Sequence, residues 1–359
     1  VLFMAKGCLY IGLMSGTSLD GVDAVIIDGS ATKLLSQTYL PYTHDLKEQL
    51  RTLSQTGQTS LENLATIDVQ VAHVFADAVH ALLESSNTRA AQISVIGSHG
   101  QTVFHKGGKY SMQIGHGSII AERTGIAVVN DFRMNDIAAS GQGAPLTPAY
   151  HQHLLGNKDG VVINLGGIAN LTQISKSIGT GFDTGPANTL LDNWIKKCKQ
   201  LDYDRDGIWA RSGFISDDLL SALLADSYFK KPSPKSTGPE YFNLEWLNSY
   251  LTGTETDADV QRTLVELTAM SISKHIPKNT NVYLCGGGVH NLFLAERLAY
   301  LNPHSEMMTT DDLGMPVDYV EAAAFAFFAR QTLKGKTSSL PLVTGAKGAR
   351  ILGAIYAAQ

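Results

Sequence analysis

Apolar residues at 61, 64, 65, 71, 72, 75, 78, 79, 82 and 83 recur with helical spacing and predict an amphipathic helix over Leu61 to Glu84. Leu9 to Asp28, LYIGLMSGTSLDGVDAVIID, has two apolar β-rich runs around a polar turn, which predicts a hairpin. Gly160 to Ile174, GVVINLGGIANLTQI, repeats that plan around Gly166-Gly167. Ile93 to Gly97 predicts a short strand running into SHGQTVFH, and Ile126 to Val129 another running into NDFR. Asn281 to Cys285 is a strand of the buried type, followed by GGGVHN and a helix over Leu292 to Leu301. Further helices are expected from Pro186, at a first turn, to Lys197, and from a capping box at Thr256 to Asp259 as far as His275. Asp318 to Leu333 is so rich in Ala and Phe that it must be a buried helix. Ala349 to Ala358 predicts a last, short apolar helix, and Lys230 to Gly238 an exposed loop. Strands alternating with helices give an α/β class, and two halves that each open with a glycine hairpin suggest a duplicated core.

The chain has 359 residues, beyond one comfortable core, so two domains are expected, with a boundary at the Gly- and Pro-rich Gly141 to Pro148. Acidic residues number 33 and basic ones 28, a net charge of −5, with no basic stripe or polybasic tail. That balance argues against nucleic acid and anionic membranes as partners and favours small molecules. No apolar run approaches the ~20 residues of a membrane span. The only candidate secretion core, Cys8 to Met14, has one preceding Lys6 and no small-residue cleavage site. Val1 to Phe3, ahead of Met4, read as foreign to the natural chain. Cys8, Cys198 and Cys285 stand far apart without a CxxC pair and read as reduced thiols, so a cytoplasmic protein is expected.

The glycine turns carry the candidate chemistry. A phosphate needs converging backbone N–H groups and no side chain in its way. Ser15 to Ser18 offer consecutive amides and hydroxyls, with Asp20 and Asp23 just beyond. Carboxylates beside a phosphate repel it unless a divalent cation intervenes, which implies magnesium held largely through water. Gly166-Gly167 is a second candidate cradle and Gly286-Gly287-Gly288 a third, each set against the plain alternative of a tight turn. The standard nucleotide motifs fail: GKT at Gly335 to Thr337 follows a helix and lacks the upstream glycine, and in GGGVHN the last glycine of GxGxxG is Asn291.

Taken together, LMSGTSLDGVD, GSHGQT, NDFR, NLGGIAN, FDTGP, CGGG with HN, and EAAAFA resemble, in order and spacing, the anhydro-N-acetylmuramic acid kinases of bacteria. The resemblance runs from Tyr10 to the closing RILGAI. It implies two α/β domains of duplicated actin-like, ribonuclease H-like topology, with the active site in the cleft between them. The first domain would be 5–140 plus 340–359, with the first phosphate loop and sugar contacts. The second would be 141–339, with the second phosphate loop, the catalytic aspartate and the adenosine motif. The implied reaction opens the 1,6-anhydro ring with water and phosphorylates O6 from ATP, in cell-wall recycling. Another sugar kinase or an ATP-driven switch of the same superfamily is the alternative, and a glycosidase would need paired carboxylates without phosphate loops.

The implied nucleotide contacts are Gly16, Thr17, Ser18, Leu19, Asp20, Gly21, Val22 and Asp23, then Gly166 and Gly167, then Gly286, Gly287 and Gly288, with Asp20 holding magnesium through water. Asp183, in GFDTGP, matches the family's catalytic aspartate; its plain alternative is a helix N-cap. Arg133 and Glu321 fall at the implied sugar site, against alternatives of a surface ion pair and a helix first-turn acid. His99, Gln101 and His105 form a polar cluster after a strand, for which a sugar-pocket or hinge role is expected rather than zinc, since no His pair falls at i, i+4. The expected partners are the amino sugar and ATP, with a homodimer left open.

Overall fold

The computed structural model describes residues 8–358 apart from 17, 177 and 234, so Thr17 and Val1 to Phe3 lie outside the described residues. The first sheet contains β1 (Leu9–Ser15), β2 (Gly21–Ile27), β3 (Leu34–Pro41), β4 (Ile93–Lys106), β5 (Tyr110–Ile114) and β6 (Val128–Asn130). The second contains β7 (Gly160–Leu165), β8 (Ile168–Ser175), β9 (Ile178–Pro186), β10 (Asn281–Cys285) and β11 (Glu306–Thr309). A last strand, β12 (Ala354–Tyr356), joins the edge of the first sheet beside β6.

The two sheets share one plan. Their orders are β6-β4-β1-β2-β3 and β11-β10-β7-β8-β9. In each, the opening strand runs parallel to a later one (β1 with β4, β7 with β10) and antiparallel to its hairpin partner. The core strands β1, β2 and β7 are buried almost end to end, as strands covered on both faces are. By contrast β3, at an edge, alternates half-buried and exposed positions. The duplicated α/β core read from the hairpins is thus present as two sheets of matching order.

The chain divides into compact units of Val1–Leu154 with Tyr319–Gln359, and Leu155–Asp318. The boundaries expected at 140/141 and 339/340 therefore move to 154/155 and 318/319. The cause is the helix Val320–Leu333, buried throughout from Ala322 to Ala329, which packs on β1 and β4. Gly12 and Gly97 let it approach: a Cβ on either would collide with the carbonyl oxygen of Ala322 or Phe325. Around the first sheet, the helix Leu61–Ser85 buries Val71, Ala72, Phe75, Ala78, Val79 and Leu82 of the predicted face, and Ile67 besides, while Leu61 and Ala65 at its start are exposed. In the second unit the helix Asp257–Ser273, capped by Thr256, packs against the helices Asn188–Lys199 and Leu292–Leu301 and against β9.

Three local expectations change. The short strand expected at Ile93 to Gly97 is longer, because β4 runs on through SHGQTVFH to Lys106 and pairs with β5. Pro186 ends β9 instead of opening a helix, and the helix begins at Asn188. Ala349 to Ala358 forms no helix; its centre is β12, whose backbone groups are satisfied by β6. No helix among the described residues is long and apolar enough to cross a membrane.

Candidate functional site

In the first unit the β1–β2 turn is held from below. Ser15 Oγ donates to Gln101 Oε1 at 2.6 Å and accepts from the Tyr42 hydroxyl at 3.0 Å. The Gln101 amide also donates to the carbonyls of Gly16 (3.3 Å) and Thr102 (3.2 Å). Gln101 is buried, and its polar atoms are directed at the turn. Gln101 thus supports the loop through Ser15 and Gly16. Not all of Gly16 to Asp23 faces outward. Leu19 and Val22 lie in the unit's core, and Leu19 spends its N–H on the Gly16 carbonyl at 3.3 Å. A Cβ on Gly21 would strike the Leu40 carbonyl, so that glycine serves packing. Among the described residues Gly16, Ser18 and Asp20 form the outward edge, with Asp23 half-buried on β2. A Cβ on Gly16 would meet nothing nearer than Ser18 Oγ at 4.0 Å, so the backbone there is open to approach.

Asp20 is half-exposed and paired with the Lys47 ammonium. No group of three or more His, Cys, Asp or Glu that could cage a metal occurs among the described residues. One or two carboxylates beside hydroxyls, here Asp20 with Asp23 near it, nevertheless fit magnesium, which keeps most of its waters and takes phosphate oxygens when bound.

Arg133, His99 and Glu321 come together in the same unit. β6 ends at Asn130, and the helix Phe132–Ala138 carries Arg133 in its first turn. Arg133 Nε and Nη2 lie 3.1 and 3.0 Å from His99 Nε2, and Nη1 donates to the Gly143 carbonyl at 2.9 Å. The guanidinium can only donate, so Nε2 accepts, and the neutral imidazole carries its proton on Nδ1. Burial, then the charge of Arg133, holds the His99 pKa well below the ordinary histidine range. Burial lifts the Glu321 carboxyl above its ordinary range while Arg133 pulls it down. Arg133 is therefore no surface ion pair. The loop beneath it is fixed by Asp136, a fully buried carboxylate that takes the Gly143 N–H at 2.9 Å and the Thr344 hydroxyl at 2.7 Å. Asp136 was not singled out from the sequence, where nothing separates it from a surface acid. His105 bonds Ser111 in the β4–β5 hairpin, with no direct bond to Arg133.

The second unit holds Asp183 within β9, opposite Asn170 of β8, and not in an open turn before a helix. It caps no helix. The helix Asn188–Lys199 has Ala187 at its N-cap position, and its first N–H groups go to the glycine turn. Ala187 and Thr189 donate to Gly167, and Asn188 to Gly166, each at 3.0 Å. The Asp183 N–H donates to the Lys235 carbonyl at 3.0 Å, and its carbonyl accepts from the Tyr228 hydroxyl at 2.7 Å. Its Oδ2 accepts the Thr237 N–H at 3.0 Å. Burial pushes the carboxyl pKa up to about 7; the Thr237 N–H opposes this, Glu240 adds to it and Lys235 opposes it. Lys235 and Thr237 thus bond Asp183, although the prolines, lysines and hydroxyls of the loop Lys230 to Gly238 signal only exposure.

The three glycines after β10 divide by role. Gly286 has φ of 82°, and a Cβ on it would strike Asn164 Oδ1. A Cβ on Gly288 would come within 2.6 Å of Leu165 Cβ. Gly287 is exposed, with nothing within 4 Å of where its Cβ would be. Only that middle glycine offers a free face.

Comparison with known proteins finds one family over nearly the whole chain. The family described as anhydro-N-acetylmuramic acid kinase matches residues 8–358. The chain is 45% identical to the anhydro-N-acetylmuramic acid kinase of Nitrosomonas europaea over 97% of its own length and 99% of that protein. It is 46% identical to that of Aliivibrio fischeri over 98% of its length and 99% of that protein. Among solved structures, component A of the (R)-2-hydroxyglutaryl-CoA dehydratase of Acidaminococcus fermentans is similar in fold. Its TM-score is 0.50 at 11% identity, over 91% of this chain and 100% of that one.

Proposed function

The chain belongs to the anhydro-N-acetylmuramic acid kinase family, and from that premise we propose how its own residues divide the reaction. The enzyme takes 1,6-anhydro-N-acetylmuramic acid, ATP and water to N-acetylmuramic acid 6-phosphate and ADP, a step of cell-wall recycling in the cytoplasm. Its partners are the amino sugar and the nucleotide. In this substrate O6 is bonded to C1, so no free hydroxyl exists to phosphorylate. Water adds to C1 as the C1–O6 bond breaks. O6 then bonds the γ-phosphorus as the bond from that phosphorus to the β-phosphate oxygen breaks, and ADP leaves.

Asp183 takes the proton of the attacking water. The carrying observation is its carboxyl: half-buried in β9, lifted to about 7, and held through one oxygen by the Thr237 N–H. A general base works best with a pKa near the operating pH, because it is then both ionised and basic. Arg133, set by His99 and the Gly143 carbonyl, is suited to a carboxylate or other acceptor on the sugar, and Glu321 to a hydroxyl or amide donor. Phosphoryl transfer asks mainly for positioning and charge neutralisation. Gly16 and Ser18 supply amides and a hydroxyl at one cradle, Gly166-Gly167 a second, and Gly287 a flat approach for adenosine. Asp20 would hold magnesium through water, and the ion would supply charge neutralisation at the triphosphate.

ADP release measured with and without the anhydro sugar tests this reading. ADP appears only with the sugar present; sugar-independent ADP release would make the chain an ATP-driven switch, and ring opening without ATP a glycosidase.

A further inference from the structure

We propose that the segment from Asp226 to Tyr241 is a strap that positions and tunes the base, with Asp226 as its anchor and Lys235 as its charge. This rests on the assignment of Asp183 as the base, and it concerns residues outside the motifs that carry that assignment.

Asp226 lies at the N-cap of the short helix Ser227–Lys230 and accepts four hydrogen bonds. They come from the Tyr228 N–H (2.7 Å), the Tyr241 hydroxyl (2.8 Å), the Trp246 indole (3.0 Å) and the Tyr250 hydroxyl (2.9 Å). One carboxylate therefore pins both ends of the strap, Tyr228 entering and Tyr241 leaving. The anchor is backed by rings: Phe242 meets Tyr228 and Trp246 edge-on, with centroids 5.2 and 4.9 Å apart. Hydrogen bonds to a charged acceptor are the stronger kind, so this set is well suited to holding a loop.

Between those fixed ends the strap bonds the N–H, the carbonyl and one carboxyl oxygen of Asp183. Tyr228 Oη donates to the Asp183 carbonyl, the Lys235 carbonyl accepts the Asp183 N–H, and the Thr237 N–H takes Oδ2. Because Oδ2 is engaged, Oδ1 is the oxygen left to receive a proton. The charged groups facing this carboxyl are Lys235 and Glu240, with the neutral Tyr228 hydroxyl beside them. Lys235 in turn stands near Lys231 and Lys274, donates to the Tyr228 carbonyl at 3.3 Å and lies 4.6 Å over the Tyr228 ring. A cation so held favours the ionised base; its removal leaves Glu240 unopposed there.

The experiment is the pH profile of kcat/KM for the intact enzyme and the variants Lys235→Met, Lys235→Arg and Asp226→Asn. Melting curves accompany each profile to establish folding. In Lys235→Met the rising limb moves to higher pH by about half a unit to one unit, so activity below the limb falls roughly three- to tenfold while the high-pH plateau stays. Lys235→Arg restores the wild-type limb. Asp226→Asn lowers kcat across the profile without a matching rise in the KM for ATP. Folded Lys235→Met and Asp226→Asn enzymes with wild-type profiles would overturn the strap while leaving the base in place. An Asp183→Asn enzyme that keeps its turnover would instead remove the base itself.

Discussion

Arg133 directs two guanidinium nitrogens at the single Nε2 of His99, 3.1 and 3.0 Å away, and so fixes that histidine as a neutral acceptor. His99 is buried against the ring of Phe325, with centroids 4.5 Å apart, which closes the other side. Its ring resonances are expected to stay those of neutral imidazole from pH 8 to pH 5.5 in a nitrogen-15 NMR titration. Titration near 6.5 would show the Arg133 contact to be absent in solution.

His99→Phe keeps a ring of similar size but removes the acceptor. Half-buried Arg133 then loses one acceptor and keeps the Gly143 carbonyl, at a cost of about 1–2 kcal/mol. Steady-state kinetics should show the KM for the sugar raised about tenfold or more and the KM for ATP nearly unchanged. A change confined to ATP would place Arg133 elsewhere than at the sugar.

Buried histidines and Asp183 oppose one another in the pH dependence of stability. The His99 and His151 pKa values are depressed by burial, that of His151 to about 3. Below the unfolded value near 6.5 the unfolded chain binds more protons, so stability is lost as pH falls. The slope is up to about 1.4 kcal/mol per pH unit for each histidine. Asp183 has a raised pKa, so its ionisation costs stability as pH rises from about 4 to about 7. Melting temperature should therefore fall on acidification below 6.5, and more steeply in Asp183→Asn, which lacks the opposing term. Equal slopes in both proteins would contradict the raised carboxyl.

Asp183→Asn should bind ATP nearly as the wild type does and turn over two to four powers of ten more slowly, about the range for a lost general base. It should also melt a few degrees higher at pH 8, since no buried charge is left, and lose that advantage near pH 4. Because Asp183 caps no helix, no capping loss offsets the gain. Calorimetry at the two pH values checks the sign.

In the loop proposed for adenosine, Gly286 and Gly288 serve packing and Gly287 has an open face. Gly286→Ala combines a positive φ with a Cβ on Asn164, a combination that costs several kcal/mol, and should express poorly or melt far lower. Gly287→Ala should melt like the wild type and raise the KM for ATP. A Gly287→Ala enzyme with unchanged nucleotide kinetics would take the triple glycine out of the nucleotide site.

What the sequence disclosed was what periodicity and turn chemistry encode. The β1–β2 and β7–β8 hairpins, the helix at Leu61–Ser85 and the buried Val320–Leu333 helix stand within a few residues of where the pattern put them. Tertiary pairing was invisible. In SHGQTVFH the polar Gln101, Thr102 and His105 bond side chains of neighbouring strands, and Ala349 to Ala358 looks helical until β6 offers its free edge. The same limit governed the site. Asp183 and Arg133 stand in motifs, whereas Asp136 meets Thr344 and Lys235 lies beside Asp183, partners far along the chain that no local window contains. Glycine runs misled in detail, for Gly21, Gly286 and Gly288 answer to packing as much as to any ligand.

Reaction in oxygen-18 water tests the central claim, water at C1 and O6 at phosphorus, most directly. The account predicts label on the anomeric hydroxyl of the earliest product and none in its phosphate, because the bridging oxygen is the sugar's own O6. An unlabelled product incubated in the same water controls for exchange at C1. Oxygen-18 in the phosphate ester, or an anomeric hydroxyl carrying only the control level, would contradict it.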